Sequence, residues 1–370
     1  MPAKLKLEEI TVGAVMEATF WANPVKQSDF LFRATHLDGV RAPKVVLCND
    51  PQVRPGVPCL VKIKSISGEK RDDHGLIEVD FVKLLPFKLE GVYLDPMASR
   101  KLQILLESGL NILLDGPQGC GKTVLAKAVA EALGMEFVFF NCSAVIETTD
   151  FMASIQVRAS ETGQPITSFV KTDFLRALEE STDKPEVRYL VFLDEFNRCR
   201  EGARNGLMPA LDTTRKVFNP ITNAFLAIPD NVQFIAAVNR GSEFSGTFGI
   251  DAAQLDRFAP LQMDYMPADE EVKLLKSRHP TLGTTLLKKL VDIANVVREA
   301  PDLDTGLSVR ATDEACVYLK HPLLETRRNK DLPEILKSSF CGRFSGRWND
   351  ATSDAGTVWS IISAELRKEK

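Results

Sequence analysis

The sequence predicts an α/β chain: a parallel sheet flanked by helices, with a small β-rich barrel or sandwich ahead of it and helices alone behind it. Three observations carry this. Apolar strand-like runs alternate with helix-like runs from Asp95 to about residue 264, which is how a parallel sheet reads. Residues 1–90 instead hold five short β-rich runs separated by Gly and Pro. From Pro267 onward only helical patterns follow. The expected divisions are therefore 1–90, 91–265 and 266–370.

The β-rich runs are 14–20, 30–34, 44–48, 59–64 and 76–81, with Gly39, Pro51, Pro55, Gly56 and Gly68 between them. Five strands with such turns suit an OB-like barrel. Residues 1–90 carry 13 Lys and Arg against 12 Asp and Glu, so this part is not a polycation. Asp95 then caps a helix that starts on Pro96.

The chain has 370 residues and a formal net charge of −4, and no apolar run approaches the ~20 residues of a membrane span. The N-terminus lacks the apolar core of a signal peptide, and the seven scattered cysteines form no C-x-x-C pair. A reducing, cytoplasmic setting without membrane or structural metal is expected.

Gly116-Pro117-Gln118-Gly119-Cys120-Gly121-Lys122-Thr123 matches the phosphate-loop spacing G-x-x-x-x-G-K-[ST] in full. A buried-strand run precedes it, and an Ala- and Leu-rich helix pattern opens at Thr123-Val124. The glycines let backbone N–H groups converge on one anion, and the helix adds its positive end. Lys122 would reach the β- and γ-phosphates of ATP, and Thr123 would hold Mg²⁺. Cys120 sits beside Lys122 and a helix N-terminus, both of which favour thiolate.

Two more apolar strands end in polar groups. Tyr189–Leu193 leads into Asp194 and Glu195, and 233–238 leads into Asn239. Polar groups at strand C-termini lie where open α/β sheets bind ligands. Asp194 suits a water-linked role at Mg²⁺, Glu195 suits activation of an attacking water, and Asn239 suits a bond to the γ-phosphate or that water. Phosphoryl transfer also requires cations at the γ-phosphate; Arg257, at an apolar helix end, and Arg310, at the start of a later helix, are candidates, although each read alone suits a solvated surface arginine.

In this order the residues resemble an AAA+ ATPase: Walker A at 116–123, Walker B at 190–195, sensor 1 at Asn239, an arginine finger at Arg257 and sensor 2 at Arg310. The stretch from Glu147 through Asp150, Thr162-Gly163 and 169–178 resembles the helix-2 insert of the MoxR-type branch. Asp194-Glu195-Phe196-Asn197-Arg198 is similar to that branch's D-E-x-N-R, and 213–229 to its hairpin. Residues 246–258 and 266–272 are most similar to the cobaltochelatase small subunit, grouped with the activators of rubisco and nitric oxide reductase.

The resemblance implies Mg²⁺-dependent hydrolysis of ATP in a homo-oligomeric ring, a hexamer, with Arg257 acting on the neighbouring site. It implies a protein substrate or an adaptor, such as one with a von Willebrand A domain. The insert and the hairpin would face the ring pore with Phe169, Arg215, Lys216, Phe218 and Phe225. The β-rich part does not align with these relatives, and Arg240 departs from the Pro or Thr they carry. A nucleic-acid-directed motor of a restriction, defence or DNA-processing system is the alternative. A nucleotide-gated scaffold would not need Glu195 and Arg257.

Overall fold

The structure, a computed structural model, describes residues 11–22, 31–37, 40–41, 45–50, 53, 58–67, 76–84, 89, 91–159, 165–239, 248–303, 306–324 and 328–368. Thr162, Gly163, Arg240, the strand edges expected at Phe30 and Lys44, and the turn residues Gly39, Pro51, Pro55, Gly56 and Gly68 lie outside these.

The first strands are β1 (Val15–Ala22), β2 (Leu31–Leu37), β3 (Val40–Arg41), β4 (Val45–Asn49), β5 (Pro58–Ser67) and β6 (Leu76–Leu84). β1 pairs with β2 and β5, β2 with β4, β4 with β6 in parallel, and β6 with β5, so the sheet closes on itself. The two-residue β3 adds only to β2. Of the two shapes the sequence suggested, a barrel or a sandwich, this is the barrel, with five strands around it in Greek-key order. Met16, Ala18, Phe20, Val61, Ile63, Ile77 and Val79 alternate inward and fill it.

The central region runs α1 (Pro96–Glu107), β7 (Ile112–Asp115), α2 (Lys122–Ala132), β8 (Glu136–Asn141), β9 (Ala153–Ala159), β10 (Pro165–Lys171), α3 (Asp173–Asp183), β11 (Tyr189–Asp194), α4 (Glu201–Leu211), β12 (Lys216–Asn219), β13 (Ala224–Ala227), β14 (Val232–Val238), α5 (Ala252–Leu255) and β15 (Ala259–Gln262). Asp95 caps α1 as expected, accepting from the N–H groups of Met97 and Ala98 at 2.9 and 3.0 Å. Five strands form one parallel sheet in the order β15-β7-β14-β11-β8. β14 is buried along its whole length and β11 up to Asp194, which explains their apolar runs; Gln233, the polar exception in β14, donates to the Leu110 carbonyl at 3.2 Å. β9–β10 and β12–β13 are separate antiparallel hairpins.

The helices α6 (Ala268–Arg278), α7 (Thr284–Arg298), α8 (Val309–Lys320), α9 (Arg328–Ser339) and α10 (Asp354–Arg367) share one apolar core. Inside this bundle Arg298 Nη1 donates to Glu271 Oε2 at 2.6 Å, with side chains only 5% and 0% exposed. Thr312 Oγ1 donates to Glu271 Oε1 at 2.6 Å, and Arg298 Nε to the Leu307 carbonyl at 2.6 Å. One buried ion pair thus joins α6, α7 and α8. Removing one partner strands the other charge, so Arg298→Ala is expected to cost about 3–5 kcal/mol of stability. The double change Glu271→Leu/Arg298→Met is expected to recover much of that. Denaturant melts of the three proteins read it; a single-variant loss below ~1 kcal/mol would refute the ion pair as a fastener.

Candidate active site

The loop after β7 is shaped by glycine. Gly119 and Gly121 have φ +76° and +101°, where other residues are strained. A Cβ at Gly119 would lie 2.2 Å from Ser308 Cβ at the start of α8, and one at Gly116 would lie 2.4 Å from the Met263 carbonyl oxygen. No side chain caps α2, so its first N–H groups are open to an anion.

Lys122 Nζ donates to the carbonyls of Gly116 and Pro117 at 2.7 and 2.9 Å. Burial lowers the pKa of this ammonium from its ordinary value, against the raising fields of Cys120, Asp194 and Asp115. Burial also pushes the Cys120 thiol up, outweighing the pull of Lys122. The expected thiolate is therefore corrected: the loop desolvates the sulfur more than it attracts negative charge.

Asp194 and Glu195 follow β11. Thr123 Oγ1 donates to Asp194 Oδ2 at 3.4 Å, and the Glu195 N–H to Asp194 Oδ1 at 3.0 Å. Glu195 has φ +53°, an uncommon backbone state for a non-glycine residue and one that concentrates at functional sites. Arg198 Nε lies 3.7 Å from Glu195 Oε1. Asn197 Nδ2 donates to the Asn239 carbonyl at 2.7 Å, bridging the ends of β11 and β14. Asn239 Oδ1 is buried and has no hydrogen-bond partner among the described residues.

These groups line a cleft of about 310 Å³ between the sheet and the helical bundle. It brings together Gln118 to Val124, Asp194, Glu195, Asn239 and Arg310. Gly116 and Pro117 stand behind it and hold Lys122 instead. Arg257 does not line it. Its Nη1 donates to the Ala253 carbonyl at 3.1 Å and lies 3.7 Å from Asp256 Oδ2. Its segment is braced from α4: Arg204, fully buried, donates to the Gly249 carbonyl at 2.6 Å, and Gln254 Nε2 to Asn205 Oδ1 at 2.7 Å.

Sequence reasoning missed several lining groups. Gly91 to Tyr93 border the cleft, although they fall on a predicted domain seam, and so do Met266, Leu274 and Arg278. Only the basic last turn of α6 signalled Arg278. Asn197 and Arg198 stood inside a recognised motif without roles.

The arrangement fits a Mg²⁺-nucleotide. A glycine loop and an uncapped helix present N–H groups, a cation sits among them, and a hydroxyl beside a carboxylate offers hard oxygen ligands. Among the described residues no group of three or more His, Cys, Asp or Glu forms a metal cluster, and no helix is long and apolar enough to cross a membrane.

Residues 111–258 match the AAA domain of the dynein-related subfamily. With that domain across the loop, both carboxylates and Asn239, the chain is an ATPase. An uncharacterised protein of Staphylococcus saprophyticus is 25% identical over 213 residues, spanning 56% of this chain and 78% of its own length. An uncharacterised protein of Staphylococcus aureus is 25% identical over 216 residues, spanning 57% and 79%. Among solved structures, a point mutant of Thermotoga maritima RuvB superposes with a TM-score of 0.44 at 16% identity, over 68% of this chain and 73% of that one.

Proposed function

We propose that this ATPase is a MoxR-type ring motor that remodels a protein substrate. The observation that carries the reading is a cleft with a full phosphate loop, Asp194, Glu195 and Asn239, and with Arg257 held outside it. A finger absent from its own cleft suits a neighbour's, which calls for a closed ring of copies, a hexamer in this reading. Thr123 and Asp194 would hold Mg²⁺, which neutralises charge on the phosphates. Glu195 would take the proton of the attacking water, Asn239 would orient that water or the γ-phosphate, and Arg310 would meet the phosphates from the helical side.

The substrate reading rests on the outer surfaces. Phe218 and Phe225 pack edge to face, 5.4 Å apart, while remaining 39% and 62% exposed, and Phe169 is 56% exposed. Exposed aromatics on two hairpins suit contact with a polypeptide. Arg215 is different: its guanidinium donates to the carbonyls of Ile228, Pro229 and Val232, so it clamps the hairpin rather than presenting charge.

The barrel topology favours the second reading, a nucleic-acid motor, because this shape often binds single strands. The charges on its described wall favour protein. Lys62 on β5 is opposite Asp80 of β6 in register, and Lys64 pairs with the same carboxylate at 3.9 Å. A surface for phosphates needs cations free of carboxylates.

A salt titration separates the two. A nucleic-acid grip through six to ten phosphates would lose about 10³–10⁵ in affinity between 50 and 200 mM salt. The full chain is expected to show no such slope with single- or double-stranded DNA or RNA. In parallel, Glu195→Gln rings with ATP are expected to retain a protein partner, such as one with a von Willebrand A domain, that Lys122→Ala does not. Steep, tight nucleic-acid binding without a retained protein would reverse the choice.

A further inference from the structure

Arg278, the last residue of α6, lines the same cleft as Arg310. Its side chain is 47% exposed, and its Nη1 lies 3.5 Å from Asp313 Oδ2 on α8. The other oxygen, Asp313 Oδ1, lies 2.8 Å from Nε2 of His279, whose side chain is only 4% exposed. A buried imidazole thus fixes a carboxylate, and the carboxylate holds a guanidinium at the edge of the cleft. Asp313 follows Arg310 by three positions, so both lie on one face of α8.

Arg278 and Arg310 approach the cleft from two helices, and Asp313 lies beside Arg278. The lining carboxylates are Asp264, in the segment before α6, and Asp194 and Glu195 at the sheet edge. A guanidinium is always charged and matches phosphate oxygens with paired donors. At 3.5 Å from Asp313, and half exposed, Arg278 keeps donors to spare.

Resting on the nucleotide reading of the cleft, we infer that Arg278 is a nucleotide-binding residue in its own subunit. It contacts the phosphate chain of a nucleoside di- or triphosphate, with Asp313 and His279 as positioning residues. It does so beside Arg310 and independently of Arg257.

The test is equilibrium titration of the full chain with MgADP and MgATP. The proteins are the unsubstituted chain, Arg278→Ala, Arg278→Gln, Arg278→Lys, Asp313→Asn and Lys122→Ala, with thermal midpoints taken without nucleotide. Arg278→Ala and Arg278→Gln are expected to weaken both nucleotides by about ten- to a hundredfold, the effect of one charge-assisted hydrogen bond. Arg278→Lys is expected to regain part of this, and Asp313→Asn to lose less than Arg278→Ala. Thermal midpoints are expected to stay level, which separates contact from a folding role. Unchanged affinity in Arg278→Gln overturns the inference while leaving the nucleotide reading intact, since Lys122→Ala would still fail to bind. An unsubstituted chain that binds neither nucleotide overturns both.

Discussion

Lys122→Ala is expected to bind no ATP, whereas Glu195→Gln is expected to bind it and not turn it over. The two substitutions remove different things. Lys122 is the only side-chain cation inside the loop, and its Nζ also closes the loop onto the Gly116 and Pro117 carbonyls. Without it the N–H cradle loses both its charge and its fastening. Glu195 stands just after β11, near Arg198. Its amide replacement keeps the shape but cannot take a proton, and general-base catalysis is worth about 10²–10⁴ in rate. A fluorescent-nucleotide titration and a phosphate-release assay on the same preparations read both outcomes. Native-rate hydrolysis by Glu195→Gln would remove it from the base role.

The second large effect belongs to Arg257. In the proposed ring, Arg257 is the finger of the neighbouring site; such a finger is worth about 10³–10⁵ in rate, so the Arg257→Ala protein is expected to be nearly inactive while still binding ATP. Mixing it with the Lys122→Ala protein is expected to restore part of the activity. Some interfaces then join an intact loop on one subunit to an intact Arg257 on the next. A cis role gives a different result, because no subunit in the mixture has both groups. Failure to recover at any ratio, with mixed rings demonstrated by mass, would place Arg257 outside the trans role.

The parts of this molecule that sequence reveals are those whose physics is local. Burial on both faces made β11 and, Gln233 apart, β14 apolar runs, and the loop between β7 and α2 needs glycine at fixed spacing because its backbone enters left-handed space. Asp95-Pro96 announced a helix start because Asp95 accepts from the first N–H groups and Pro96 suits the first helical position. What stayed hidden depends on neighbours distant in the chain. Arg278 and Asp313 meet only because α6 and α8 pack together. The Cys120 thiol looked activated beside Lys122, but desolvation by the folded loop is the larger effect. Arg215 looked like an exposed cation until the carbonyls of residues 228–232 enclosed it. Asn197 carried no signal of its own, since the carbonyl it reaches lies 42 positions away.

The Glu271–Arg298–Thr312 cluster has a mechanical consequence. It fastens three helices at one buried point, and the remaining two share their apolar core, so the five helices form one packed unit. That unit joins the sheet in sequence through the short connection 263–267 between β15 and α6. Tyr265 sits in that connection, its hydroxyl donating to the Gln118 carbonyl at 3.2 Å and its ring facing the Arg298 guanidinium at 4.8 Å. Tyr265 therefore ties the phosphate loop, through the Gln118 carbonyl, to the bundle's buried ion pair, through Arg298.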